Sequence, residues 1–96
     1  MEKILTIVIP TYNMENFLPK ALTSLVVEEE LMNILEVIVV NDGSKDSSLD
    51  IAYAFQKQYP QTFLVINKEN GNYGSGVKRG LQEAKGKYIK ILDADD

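Results

Sequence analysis

The chain of 96 residues carries 10 lysines and arginines against 14 aspartates and glutamates, a net charge of −4, and 45% hydrophobic residues, with neither cysteine nor histidine. That is apolar content for one modest core, and it excludes a disulfide framework, a thiol nucleophile and most zinc chemistry. The acidic balance also argues against nucleic acid as a partner, so the chemistry open to this chain runs through carboxylates.

Met1-Glu2-Lys3 passes straight into Ile4-Leu5-Thr6-Ile7-Val8-Ile9, a β-branched run that reads as a strand covered on both faces. Pro10 is expected to close it, because proline cannot donate to a ladder. The run is too short to span a membrane and no signal-peptide cleavage site follows, which predicts a cytoplasmic protein, at the inner face of a membrane only if further segments carry it there. Asn16 is the expected cap of a first helix, whose apolar positions Leu18, Ala21, Leu22, Leu25 and Val26 recur at three and four, with Pro19 in the first turn. Glu28-Glu29-Glu30 reads as a solvated turn.

Leu35-Glu36-Val37-Ile38-Val39-Val40 is a second buried run, ending in the turn formers Asn41-Asp42-Gly43-Ser44, so it delivers Asp42 at its C-terminal tip. Asp46 or Ser44 is expected to cap a second helix with Leu49, Ala52, Phe55 and Tyr59 inward, stopped by Pro60. Phe63-Leu64-Val65-Ile66 is a third strand. The glycine-rich loop Asn70-Gly71-Asn72-Tyr73-Gly74-Ser75-Gly76 follows, then a helix with Val77, Leu81 and Ala84 on one face and Gly86 past its end. Tyr88-Ile89-Lys90-Ile91-Leu92 reads as a buried fourth strand, followed at once by Asp93-Ala94-Asp95-Asp96.

Alternating strands and helices without a linker predict a single α/β domain over residues 1–96: a parallel, Rossmann-like sheet of four strands in the order 3-2-1-4, with helices on both faces. Ligands of such sheets bind outside the carboxyl ends of the strands, at the switch point between strands one and four. Every polar cluster falls at that end. Strand alternation points Asp93 and Asp95 the same way, close enough to share a cation that suits oxygen ligands, Mg²⁺ or Mn²⁺; a solvated strand exit is the plainer alternative. An aspartate such as Asp42 can accept the ring N–H of uracil, and Tyr12 can stack a base.

In the order Val8-Ile9-Pro10-Thr11-Tyr12-Asn13, Val39-Val40-Asn41-Asp42-Gly43-Ser44, Asn70-Gly71-Asn72-Tyr73-Gly74 and Asp93-Ala94-Asp95-Asp96, the chain resembles the family 2 glycosyltransferases of the GT-A fold. The resemblance implies transfer of a sugar from a nucleotide diphosphate donor, a UDP-sugar, to a carbohydrate, lipid or protein acceptor, with inversion and with Mg²⁺ or Mn²⁺, as in cell wall or polysaccharide synthesis. It implies a nucleotide pocket of Pro10, Thr11, Tyr12, Asn13, Glu15, Asp42, Lys78 and Asp93, with Asp42 on the base, Asp93 on the ribose or metal and Asp95 on the metal. Two departures stand out. Val77 and Lys78 occupy positions where members often carry Arg-Asn, leaving any nucleotide contact of that arginine to Lys78, to Arg79 or to nothing. The family's domain also continues past the acidic motif, so these residues are expected to be its donor-binding half, with acceptor site and general base downstream.

Strand four is expected to lie at a sheet edge and to pair two copies of the chain through residues 88–92. Two readings of other classes compete. A phosphoacceptor receiver domain wants an acidic pair after strand one, where this chain has Pro10-Thr11-Tyr12-Asn13. A non-catalytic binding domain would carry its acids on a solvated rim.

Overall fold

The computed structural model describes residues 2–93. Four strands, β1 (Leu5–Thr11), β2 (Leu35–Asp42), β3 (Phe63–Lys68) and β4 (Tyr88–Ile91), form one parallel sheet in the order β3-β2-β1-β4. Four helices connect them: α1 (Leu18–Thr23) and α2 (Glu29–Ile34) between β1 and β2, α3 (Ser48–Gln58) before β3, and α4 (Tyr73–Glu83) before β4. This is the expected α/β sheet, with its switch point between β1 and β4.

Alternation along the strands divides the core in two. Ile7, Ile9, Val37 and Val39 face α1, α2 and α3 and bury Leu18, Leu22, Met32, Ala52 and Phe63 with them, while Val8, Ile38, Val40 and Ile66 face the other way, toward α4. Every residue of β2 is buried, as a central strand covered on both faces requires. The strand β4 is the exception to its expected burial. It is an edge, with Tyr88 66% and Ile89 45% exposed.

Several local expectations are corrected, each for a physical reason. Pro10 does not close β1 but lies within it, in register with Val40. The carbonyls of Ile4 and Val8 accept from Tyr88 and Leu92, so even-numbered residues of β1 turn their backbone toward β4, and the nitrogen of Pro10 faces the place where that ladder stops. Proline therefore ends the β1–β4 pairing rather than the strand, and the chain leaves the sheet just before Asp93. The cap of α1 is Phe17 rather than Asn16, with no side-chain bond, and the helix ends at Thr23. Beyond it Leu25 and Val26 donate to the carbonyls three residues back in a tightened turn, yet still pack on the core. The three glutamates are exposed but not a turn: Glu29 and Glu30 form the first turn of α2, where the helix dipole favours acids. At its other end the Lys3 ammonium donates to the carbonyls of Met32, Asn33 and Leu35, and to Gln61 across the gap, at 2.6 to 3.3 Å.

The glycine-rich segment is mostly helix. Asn72 caps α4 through a reciprocal capping box with Ser75, so Tyr73, Gly74, Ser75 and Gly76 are its first residues. The buried positions of α4 are Gly76 and Gly80, while Leu81 is 44% exposed. A Cβ at Gly80 would overlap the Val8 side chain, and one at Gly76 would meet Pro10 and Val40 at 3.8 and 3.9 Å. The helix thus lies unusually close to β1 and β2, which brings its N-terminus over the ends of the strands.

Candidate functional site

The C-terminal ends of the strands surround a cavity of about 630 Å³ lined by Pro10, Thr11 and Tyr12 from β1 and its exit, Met14, Asp42 from β2, Asn70, Gly71 and Asn72 after β3, Tyr73 and Gly76 from α4, and Asp93 after β4. Of the residues expected to bind a nucleotide, Pro10, Thr11, Tyr12, Asp42 and Asp93 are thereby brought together. Tyr12 is 43% exposed at the cavity, whereas Thr11 is buried with its hydroxyl donating to the Ile9 carbonyl at 3.1 Å.

Asp42 is the most tightly held side chain of the site. In register, Asp42 lies beside Lys68, the last residue of β3, and the two side chains meet on the α4 face of the sheet. The Lys68 ammonium donates to Asp42 Oδ1 at 2.6 Å and the Gly71 N–H donates to the same oxygen at 2.8 Å. Burial pushes the Asp42 carboxyl up, but the bonds from Lys68 and Gly71 and the Lys68 charge outweigh it, so the group titrates below the ordinary aspartate value. The remaining protons of Lys68 go to the Glu69 carbonyl at 2.8 Å and Ser75 Oγ at 3.1 Å. Ser75 is the capping-box residue of α4, so one ammonium ties the tip of β2 to the start of that helix. Gly43, at φ +73°, makes the close approach possible: a Cβ there would stand 2.7 Å from the Cβ of Asn70.

Asp93 is half-buried at the cavity wall, and the Tyr73 hydroxyl donates to its Oδ1 at 3.0 Å. Asp95, its expected partner in holding a metal, lies outside the described residues. Among the described residues no group of three or more metal-ligating side chains occurs. Asp93 is nevertheless a hard oxygen donor at the cavity, the type that Mg²⁺ or Mn²⁺ takes.

Asn13, Glu15 and Lys78 do not line the cavity. Asn13 and Glu15 instead stitch the loop after β1 to the loop after β2. The Asn13 N–H donates to Ser44 Oγ at 3.0 Å and its Oδ1 accepts from the Lys45 N–H at 2.8 Å. The Glu15 N–H donates to Asp46 Oδ2 and its Oε2 accepts from the Ser47 N–H, both at 3.1 Å. Asp46 Oδ1 accepts from the Ser48 N–H at 2.9 Å, so Asp46 serves the start of α3 as expected, although Ser47 holds the cap position. Burial raises Asp46, and the Ser48 hydroxyl and the Ser48 and Glu15 amides more than offset it, so its carboxyl too titrates low. Lys78 is exposed on α4. Lys68 and Tyr73 are site residues that the sequence analysis did not single out: Lys68 lies two residues past the apolar run that ends at Ile66, and only the strand register places it beside Asp42.

The profile of the family described as "Glycosyl transferase family 2" matches residues 6–96. The chain belongs to that family. A curated relative, "Uncharacterized glycosyltransferase MG025 homolog" of Mycoplasma pneumoniae, is 42% identical over 97% of this chain and 31% of its own length. The minor teichoic acid biosynthesis protein GgaB of Bacillus subtilis is 34% identical over 95% of this chain and 10% of its own. The chain therefore spans about a third or less of these relatives. Among solved structures, TarS of S. aureus superposes with a TM-score of 0.83 at 28% identity, covering 96% of this chain and 16% of that one. A mannosyltransferase from Pyrobaculum calidifontis, solved with GDP-Man and Mn2+, superposes at 0.80 over 99% of this chain and 28% of its own at 22% identity, a likeness of fold. Family membership sets the receiver reading aside, in keeping with a β1 that ends in Pro10-Thr11 without an acidic pair.

Proposed function

We propose that this chain is the donor-binding part of an inverting, metal-dependent glycosyltransferase that uses a UDP-sugar. The observation that carries the reading is the cavity at the strand ends, which gathers the aromatic ring of Tyr12, an ionised acceptor at Asp42 and a hard oxygen donor at Asp93. Asp42 would accept the uracil ring N–H, with Tyr12 against the base, and the diphosphate would lie toward Asp93. Mg²⁺ or Mn²⁺ held by Asp93 and Asp95 would supply positive charge against that diphosphate. The acceptor and the general base are assigned to chain beyond these residues; cell wall or polysaccharide synthesis is the setting that the teichoic acid relative suggests, and the cytoplasmic side of a membrane is the place proposed for it. A second copy of the chain, paired through β4, is the proposed partner of the isolated chain.

Base competition tests the reading. Asp42→Ala should weaken UMP by about 1–3 kcal/mol, the cost of a ring N–H left without its acceptor, and leave AMP nearly unchanged. Equal losses for both nucleotides would reduce Asp42 to a partner of Lys68 and the Gly71 amide.

A further inference from the structure

We propose that Lys68 is the positioning residue that sets base specificity, by fixing one oxygen of Asp42 so that the other is presented to the base as an acceptor only. The inference rests on the reading of Asp42 as the base contact.

Asp42 Oδ1 takes two donors, the Lys68 ammonium at 2.6 Å and the Gly71 N–H at 2.8 Å, while among the described residues Oδ2 takes none. Rotation of the carboxyl would break both bonds at once. Lys68 is itself fixed, since its other protons go to the Glu69 carbonyl and to Ser75 Oγ, which also accepts from the Asn72 N–H inside the capping box of α4. The side chains of Lys68 and Asp42 are 17% and 10% exposed, so water competes little for these bonds. With its donors spent inside the protein, Lys68 is not placed to serve a phosphate. Its effect reaches the ligand through Asp42.

The chemical consequence is a choice between pyrimidines. Uracil turns a donor, its ring N3–H, toward such an acceptor, whereas cytosine turns a lone pair at the same position. An ionised carboxylate favours the first and repels the second. A carboxyl free to rotate and to take a proton would lose that choice, because its O–H could donate to cytosine N3. Among the described residues the other ionisable side chains on the cavity are Tyr12, Tyr73 and Asp93, and none of them is bonded to Asp42.

The test is metal-free binding of UMP and CMP to the chain and to its Lys68→Met and Lys68→Arg variants, between about pH 8 and pH 5. The wild type should prefer UMP throughout that range. Lys68→Met should lose most of the preference, by about tenfold, with UMP binding falling and CMP binding rising toward acid pH, while Lys68→Arg, which keeps the charge, should restore most of it. A folded Lys68→Met with an unchanged UMP/CMP ratio and an unchanged pH profile overturns the inference but leaves the base reading intact. A wild type without preference for UMP overturns the base reading, and the inference with it. Should Lys68→Met fail to fold, carboxyl titration of the wild type by NMR decides: Asp42 should titrate below the ordinary aspartate value, and an ordinary titration overturns the proposal.

Discussion

Asp42 and Lys68 are register partners at the ends of two neighbouring strands, and their side chains meet at 2.6 Å above the sheet, beside the first turn of α4. The pair makes stability depend on acid. Burial alone would raise Asp42, but Lys68 and Gly71 hold it below its ordinary value. A carboxyl depressed in the folded state contributes stability at neutral pH, and that contribution disappears as pH falls through the ordinary aspartate range to the lower folded value. Urea midpoints measured from neutral toward acid pH should therefore fall less steeply in Asp42→Asn than in the wild type. Parallel curves would show that the pair carries no such linkage.

A second prediction concerns α4. Replacing a helical glycine by alanine ordinarily stabilises, by about 1 kcal/mol. At Gly80 the sign should reverse, because the added methyl overlaps Val8, which is fully buried in the middle of the sheet and cannot yield. Overpacking of this kind costs about 1–3 kcal/mol. Gly80→Ala should lower the urea midpoint, and a rise would mean that α4 can lift away from β1 at little cost.

How much of this was legible in the sequence follows from what each residue reports. The strands were readable because β-branched runs such as residues 35–40 leave no other economical fold, and the order β3-β2-β1-β4 followed from right-handed crossovers. That Asp42 and Asp93 lie on one cavity was readable because strand ends locate them. What stayed hidden depends on register and on close approach. Pro10 seemed to end a strand, and only its position opposite the end of β4 shows which ladder it interrupts. The helix α4 was read by its large apolar residues, although it packs by its glycines, and a glycine carries no signal of burial. Asn13 and Glu15 belong to a loop-to-loop network that no spacing within one segment reveals.

The third prediction is catalytic. A chain of these residues alone should not transfer sugar, since transfer needs a base within reach of the acceptor hydroxyl. Among the described residues the carboxylates on the cavity are Asp42 and Asp93, the first tied to Lys68 and the second assigned to metal or ribose, while Asp46 is held by backbone amides. Sustained turnover of a UDP-sugar by this chain would contradict that assignment and require one of its acids to serve as base.

The fourth concerns the exposed edge. Tyr88 and Ile89 leave apolar surface on β4, and Lys90 is its one charge. Such an edge offers unpaired backbone groups to another strand. The backbone of Tyr88 bonds to β1, so the N–H of Ile89 points outward, and Ile89→Pro removes an outward donor without touching the β1 ladder. Sedimentation should show a dimer that strengthens with salt, which screens Asp93, Asp95 and Asp96 of the two copies, and that Ile89→Pro weakens. A strict monomer at high concentration, or a dimer indifferent to the proline, contradicts it.

The central claim is that the cavity between Asp42 and Asp93 holds a nucleoside diphosphate with a cation, and calorimetric titration of UDP and UMP with and without Mn²⁺ tests it most directly. UDP should bind at least about tenfold more tightly when Mn²⁺ is present, some 1.4 kcal/mol, UMP should show little change, and Asp95→Asn should abolish the difference. Equal UDP affinity with and without the metal, or no uridine nucleotide binding at all, would contradict the account.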